Sequence, residues 1–172
     1  SGWMMSGGKD KDKKFVAAIV RQLVSGQKEI HAVADKFGTP TYGFDLARNL
    51  HILLRLGAHG LYHMVCSGQA SRYAIAQEIV TALNYQNLVK VLPVASAHFS
   101  HTYFAPRPPS ENLINARLTR DGLNKMQSWK ISLGSYLARD FSYAKNSVSP
   151  AQAYEPLPGS ETFTYAIGGS AR

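Results

Sequence analysis

Few residues of this sequence stand in patterns that can do chemistry, and each pattern has a plain structural reading beside it. His98-Phe99-Ser100-His101 sets two imidazoles three positions apart, a spacing able to hold a metal ion. No carboxylate or thiol lies close in sequence to complete the ligand set, so loop histidines without a metal are expected. His31, His51, His59 and His63 fall among apolar residues, where a hydrogen-bonded core or surface histidine is the expectation. Cys66 ends an apolar run with nothing nearby to lower its pKa, which predicts an inert buried thiol. The run Lys9-Asp10-Lys11-Asp12-Lys13-Lys14 is read as a solvated helix start, with attraction for phosphate as the alternative.

The most constrained stretch is Asp35-Lys36-Phe37-Gly38-Thr39-Pro40-Thr41-Tyr42. Gly38 can adopt the positive φ of a tight turn, and Pro40 fixes its own φ while holding Thr39 extended. A strand ending in a rigid turn, with two threonine hydroxyls at its tip, is expected here. In α/β folds that edge is where ligands sit.

Two absences carry as much weight. No glycine-rich G-x-G-x-x-G or G-x-x-G-x-x-G turn follows a strand, so a dinucleotide-phosphate cradle is not encoded in these residues. No tyrosine has a lysine four positions later; the nearest imitation is Tyr103 with Arg107. An arginine cannot replace a lysine that must tune a tyrosine and bind ribose, because its guanidinium is bulkier and does not titrate.

The elements that would position these residues follow from periodicity. Phe15, Val16, Ile19, Val20, Leu23 and Val24 recur at helical spacing, and Gly26 stops that helix. Ile30 to Ala34 reads as a short strand. A helix from about Phe44 to Leu56 is expected to turn Leu46, Leu50, Leu53 and Leu54 inward. Gly60 to Cys66 reads as a buried strand, and Ser71 as the N-cap of a helix carrying Tyr73, Ile75, Ile79, Val80 and Leu83. Val89 to Val94 is another strand. The irregular segment Ser96 to Pro109 is long enough to suggest a use. A short helix is expected around Arg120 to Met126. Trp129 then leads into a last amphipathic helix with Ile131, Leu133, Tyr136, Leu137 and Phe141 on its apolar positions. Residues 1–5 read as the end of a buried strand, and from Ser147 the composition shifts to that of a tail. Strands alternating with helices predict an α/β fold, but the strands are few and short, as in part of such a protein.

With 172 residues, one domain is the default. No apolar run reaches the roughly 18 residues of a membrane helix, and the N-terminal residues do not read as a signal peptide. A single cysteine allows no internal disulfide and fits a cytoplasmic location. The net charge of +8 calls for an anionic partner or a solvated basic face. The cations are spread along the chain without a basic stripe interleaved with aromatics, which argues against nucleic acid and leaves a phosphate-bearing small ligand.

Taken in order, several pieces resemble the C-terminal half of dTDP-4-dehydrorhamnose reductases, members of the extended short-chain dehydrogenase/reductase group. Ser1-Gly2-Trp3-Met4-Met5 resembles the family's Trp-containing strand, and Lys14-Phe15-Val16 its helix opening. Asp35 to Thr41 is similar to its Asp-Gln-x-Gly-x-Pro-Thr turn, with Lys36 in place of Gln. Asp45-Leu46-Ala47, Gly60-Leu61-Tyr62-His63, Ser71-Arg72-Tyr73, Arg107-Pro108 with Ser110 and Leu113, and the closing Trp129 follow at matching spacing. The likeness covers residues 1 to 143; the tail from Ser147 departs from it.

The resemblance implies a fold and a role. The fold would be α/β, the C-terminal substrate-binding part of an extended short-chain dehydrogenase/reductase of Rossmann type, lacking most of the nucleotide-binding sheet. Residues 1–5 would end the last Rossmann-type strand, 6–146 would form the sugar-nucleotide-binding region, and 147–172 a tail. Full-length relatives use NAD(P)H; this chain is expected to bind no cofactor and to be inactive alone. The resemblance places Trp3 by a sugar ring, Lys14 and Phe15 near the ligand at a helix start, Thr39 and Thr41 along the cleft, and Arg107 on a diphosphate. A nucleotide sugar is the expected ligand, and self-association or a missing N-terminal half the expected partner. The alternative role is a non-catalytic regulatory or scaffold subunit of the same fold.

Overall fold

The computed structural model describes residues 1–100 and 107–146. The tail from Ser147, and His101 and Tyr103 within the 96–109 segment, lie outside the described residues. In chain order the elements are β1 (Trp3–Met5), α1 (Gly8–Lys11), α2 (Phe15–Val24), β2 (Glu29–Val33), β3 (Phe37–Gly38), β4 (Pro40–Tyr42) and α3 (Gly43–Arg55). They continue with β5 (Ala70–Ser71), α4 (Arg72–Ala82), β6 (Lys90–Val94), β7 (Ser110–Glu111), α5 (Ala116–Arg120) and α6 (Trp129–Asp140).

Among the described residues the strands form three small sheets. β1 pairs in parallel with β4, setting Trp3 opposite Pro40 and Met5 opposite Tyr42. β2 pairs in parallel with β6 from Glu29–Lys90 to Val33–Val94. The third sheet has the order β5–β3–β7, antiparallel on one side of β3 and parallel on the other. α4 lies against α2, α6 and β2. Their apolar faces meet in one core that includes Ile19, Leu23, Ile30, Ile75, Ile79, Leu133, Tyr136 and Phe141.

Local chemistry explains most boundaries. α2 ends as expected at Gly26, whose positive φ lets Gln27 N–H reach back to the Gln22 carbonyl at 3.1 Å. Ser71 caps α4 through its Oγ, which accepts from Ala74 N–H at 3.1 Å. The Lys9–Lys14 run holds the short helix α1 and the turn after it, and Lys9, Lys11, Lys13 and Lys14 are exposed.

Several expectations are corrected. Gly60 to Cys66 is not a buried strand: only Val65 and Cys66 are buried, and Leu61 is 79% exposed. Instead of a ladder partner, Val65 has the side chain of Asn115. Its N–H donates to Asn115 Oδ1 at 2.9 Å, and its carbonyl accepts from Asn115 Nδ2 at 2.7 Å. The helix expected at Arg120 to Met126 lies earlier, over Ala116–Arg120, and ends ahead of Gly122, which has a φ of 70°.

α3 is rotated from its expected face. It buries Asp45, Asn49 and Leu53, while Leu50 and Leu54 are 43% and 69% exposed. Polar partners inside explain the rotation. Asp45 Oδ2 accepts from Ser132 Oγ at 2.6 Å, and Asn49 donates to the Leu123 carbonyl and accepts from Lys125 N–H. On α6, Ile131 is likewise exposed, whereas Leu133, Tyr136, Leu137 and Phe141 are buried as expected.

Candidate functional site

The Asp35–Tyr42 stretch is central, though not as a turn with its hydroxyls on display. Its β3 is the middle strand of the three-stranded sheet: Phe37 pairs with Ser71 on one side and with Ser110 on the other. β3 therefore holds the start of α4 and the Arg107–Leu113 segment on its two flanks. Phe37 N–H also donates to the Pro109 carbonyl at 2.9 Å, and Lys36 Nζ to the Arg107 carbonyl at 2.8 Å. From Gly38 the chain passes directly into β4, which carries β1 and Trp3.

The two threonines serve this assembly. Thr39 is buried; its Oγ1 accepts from Leu113 N–H at 2.8 Å, and its carbonyl accepts from Trp3 N–H at 2.9 Å. Thr41 is also buried, and its Oγ1 accepts from Gly2 N–H at 3.1 Å. Both hydroxyls tie neighbouring backbone together.

Gly38 has a different reason to be glycine than the one expected. Its φ is not positive. A Cβ there would collide with Trp3 Cε2 and stand 2.5 Å from Cζ2. Cε2 is a ring-fusion carbon reachable only from a face, so the indole lies flat against the Gly38 backbone. The indole Nε1 donates to Glu111 Oε2 on β7 at 2.7 Å. Trp3 thus links β1, β3 and β7.

Phe15 is buried at the first position of α2, and Lys14 before it is exposed. The start of α2 is fixed from the core. Lys14 N–H donates to Asp12 Oδ1 at 2.7 Å, and the Tyr136 hydroxyl donates to Asp12 Oδ2 at 2.8 Å while accepting from Gly8 N–H at 3.0 Å. Burial, then the Asp12 carboxylate beside it, pushes the Tyr136 phenol well above its usual value near 10. The proton is held more tightly in the folded chain than in the unfolded one. Stability is therefore full below pH 10 and falls as pH rises above it. In alkaline titrations followed by circular dichroism, Tyr136→Phe should flatten this fall. At neutral pH the same change should cost about 1–3 kcal/mol in urea unfolding, because Asp12 and Gly8 lose their partner.

Sequence reasoning passed over Arg72, the first residue of α4. Its guanidinium lies 3.9 Å from the Trp3 ring centroid and 5.0 Å from that of Phe15. Nothing in local spacing marks such a contact, since the three residues lie on different elements. Arg107 is exposed on the opposite flank of β3. The structure gathers Trp3 and Phe15 around Arg72, while Arg107 lies ahead of β7, on the other flank of β3 from Ser71.

The other candidates separate from this centre. Cys66 is fully buried, and burial raises its thiol pKa against the lowering effect of a Ser132 hydrogen bond. His31 and His98 are exposed and stack with ring centroids 5.3 Å apart. Among the described residues no group of three or more His, Cys, Asp or Glu side chains is placed to hold a metal. No helix among them is long and apolar enough to cross a membrane.

The chain is similar to known proteins over most of its length. The description "RmlD substrate binding domain" fits residues 2–141. A dTDP-4-dehydrorhamnose reductase from Mycobacterium tuberculosis (strain CDC 1551 / Oshkosh) is 32% identical over 139 residues, 80% of this chain and 44% of the relative. The crystal structure of dTDP-4-dehydrorhamnose reductase from Yersinia enterocolitica superposes with a TM-score of 0.72 at 34% identity, covering 79% of this chain and 46% of that one. That of the Bacillus anthracis reductase, solved in complex with NADP, superposes with a TM-score of 0.68 at 28% identity, over 79% of this chain and 45% of that one. This chain thus spans under half the length of these relatives. Its fold class is the expected one: α/β with small parallel sheets, the substrate-binding part of an extended short-chain dehydrogenase/reductase. The chain belongs to the RmlD substrate-binding domain family and forms a dTDP-4-dehydrorhamnose reductase-like substrate-binding region, part of the length of such a protein.

Proposed function

We propose that this chain binds a dTDP-linked deoxysugar and does not by itself transfer hydride to it. The observation that carries the reading is the surroundings of β3: Arg72, just after β5 on one flank, lies against Trp3 and Phe15, and the Arg107–Leu113 segment follows the other flank. An aromatic wall beside cations suits a ligand with a sugar, a base and a diphosphate. The hydride step requires a nicotinamide and a proton donor. The sequence has neither a glycine-rich phosphate turn nor a Tyr-x-x-x-Lys pair. NAD(P)H would be held by other polypeptide, in cis or as a separate subunit.

Isothermal titration should show saturable binding of dTDP-glucose and of dTDP, and none of free glucose. Turnover with NADPH and dTDP-4-keto-rhamnose should be absent with this chain alone. Failure to bind either nucleotide would overturn the ligand assignment, and clear turnover would overturn the division of labour.

A second reading, a regulatory or scaffold subunit, is supported by the exposed apolar flank of α3, where Leu50 and Leu54 project. It requires a covering surface, either a second copy or a cofactor-binding partner. Light scattering on the purified chain should show self-association that Leu50→Glu with Leu54→Glu reduces. A monomer that binds dTDP would count against the scaffold role.

A further inference from the structure

We infer that Glu111 recognises the sugar end of the ligand, by accepting hydrogen bonds from its hydroxyls. The inference rests on the nucleotide-sugar reading and deepens it. Trp3 reaches Glu111 across β3. Gly38 is paired with Glu111, the indole lies flat on the Gly38 backbone, and its Nε1–H donates to Glu111 Oε2 at 2.7 Å. The indole is therefore a fixed wall. The Gly38 backbone lies against it, and the Arg72 guanidinium is 3.9 Å from its ring centroid. What the ring leaves to a ligand is its edge, and the group bonded at that edge is the Glu111 carboxylate.

Lysines and arginines outnumber aspartates and glutamates 19 to 11 in this chain, yet among the described residues none forms an ion pair with Glu111. The residue is exposed, and the bond from Trp3 is the one hydrogen bond its carboxylate makes among them. A carboxylate accepts on both oxygens and donates nothing. The indole N–H takes part of that capacity and leaves the rest. Such a group repels a diphosphate and attracts hydroxyls, whose bonds to it are charge-assisted. A nucleotide sugar carries both chemistries, so the carboxylate decides which end of it comes to Trp3. Arg107, exposed earlier in the same segment, and Lys36, whose Nζ donates to the Arg107 carbonyl at 2.8 Å, supply the positive charge on this flank of β3. They suit the diphosphate, and Glu111 the sugar. A site built to bond hydroxyls discriminates against a ligand that lacks them.

The test uses the full 172-residue chain with two ligands, dTDP-glucose and dTDP carrying a methyl ester on its terminal phosphate. The ester matches the charge of dTDP-glucose and lacks the sugar hydroxyls. In isothermal titration the wild-type chain should bind dTDP-glucose more tightly than the ester. Glu111→Gln keeps the shape and an acceptor for the indole but removes the charge. It should weaken dTDP-glucose binding about 10-fold and leave the affinity for the ester as it is. Glu111→Asp keeps the charge but withdraws it by one methylene, and should fall between the two. It also serves if Glu111→Gln fails to fold by circular dichroism. A wild-type preference for dTDP-glucose in both variants would overturn the inference while the nucleotide-sugar reading stands. Equal losses for both ligands would reduce Glu111 to a holder of the indole and overturn its contact with the sugar. Equal affinity of the wild-type chain for the two ligands would overturn it as well. A wild-type chain that binds neither would overturn both the reading and the inference.

Discussion

Asn115→Ala should lower the stability of this domain by roughly 2–6 kcal/mol, a large share of the 5–15 kcal/mol typical of a folded domain. The side chain is buried and serves both polar groups of Val65, at 2.9 Å and 2.7 Å. Removing it orphans a buried N–H and a buried carbonyl together, each worth about 1–3 kcal/mol when left unsatisfied. Residues 60–66 join no ladder, and the strand contact beside Val65, from Cys66 N–H to the Pro40 carbonyl at 3.1 Å, does not serve the Val65 groups. Urea unfolding followed by circular dichroism measures the loss as a lower midpoint at unchanged slope. Asn115→Asp should also destabilise: its carboxylate can accept from Val65 N–H but faces the Val65 carbonyl without a donor. A change below about 0.5 kcal/mol, the size of an ordinary surface substitution, would show that water can replace the amide.

Gly38→Ala is expected to cost about 1–3 kcal/mol, and to do so through one identifiable ring. The added methyl would occupy the space of the Trp3 indole, whose Cζ2 would stand 2.5 Å away. Either β3 or the indole must move, and both are pinned. Phe37 and Gly38 are paired on two sides, and Trp3 is held by Thr39 and Glu111. In a Trp3→Leu background the same glycine substitution should cost much less, because the smaller side chain leaves room. A double-mutant cycle in urea gives that coupling directly. If the cost were the same in both backgrounds, backbone conformation and not the indole would be the reason for glycine. On the functional reading, Gly38→Ala should also weaken dTDP binding, since it displaces the Trp3 ring.

Helices whose burial is purely apolar were legible from spacing alone. α2 and α4 fall where Phe15–Val24 and Tyr73–Leu83 place them, and Ser71 caps as its type suggests. Strands β2 and β6 were legible as two short apolar runs, though not their pairing. Periodicity failed where specific polar partners decided the outcome. Leucines at 46, 50, 53 and 54 outline one face of α3, but Ser132, Leu123 and Lys125 offer hydrogen bonds to Asp45 and Asn49 and turn the helix toward themselves. The 60–66 run has strand-like composition, yet a single amide from Asn115 satisfies its buried end. At the site, the importance of the Asp35–Tyr42 stretch was legible, while the reason for Gly38 and the role of both threonines were not. Each depends on a residue from another element: Trp3, Leu113 and Gly2. Arg72 was hidden for the same reason.

The pairing of the three sheets has a kinetic consequence. Trp3 finds Pro40, Glu29 finds Lys90, and Phe37 finds Ser110, so most of the ladders join residues far apart along the chain. Closing such loops loses chain entropy before any ladder compensates, which slows folding relative to a helical bundle of equal size. Helices α2 and α4 can form early, but the sheet centred on β3 must wait for the last long-range closure. On the functional reading, a nucleotide that binds only the closed form would then slow unfolding and protect the β3 amides from hydrogen exchange.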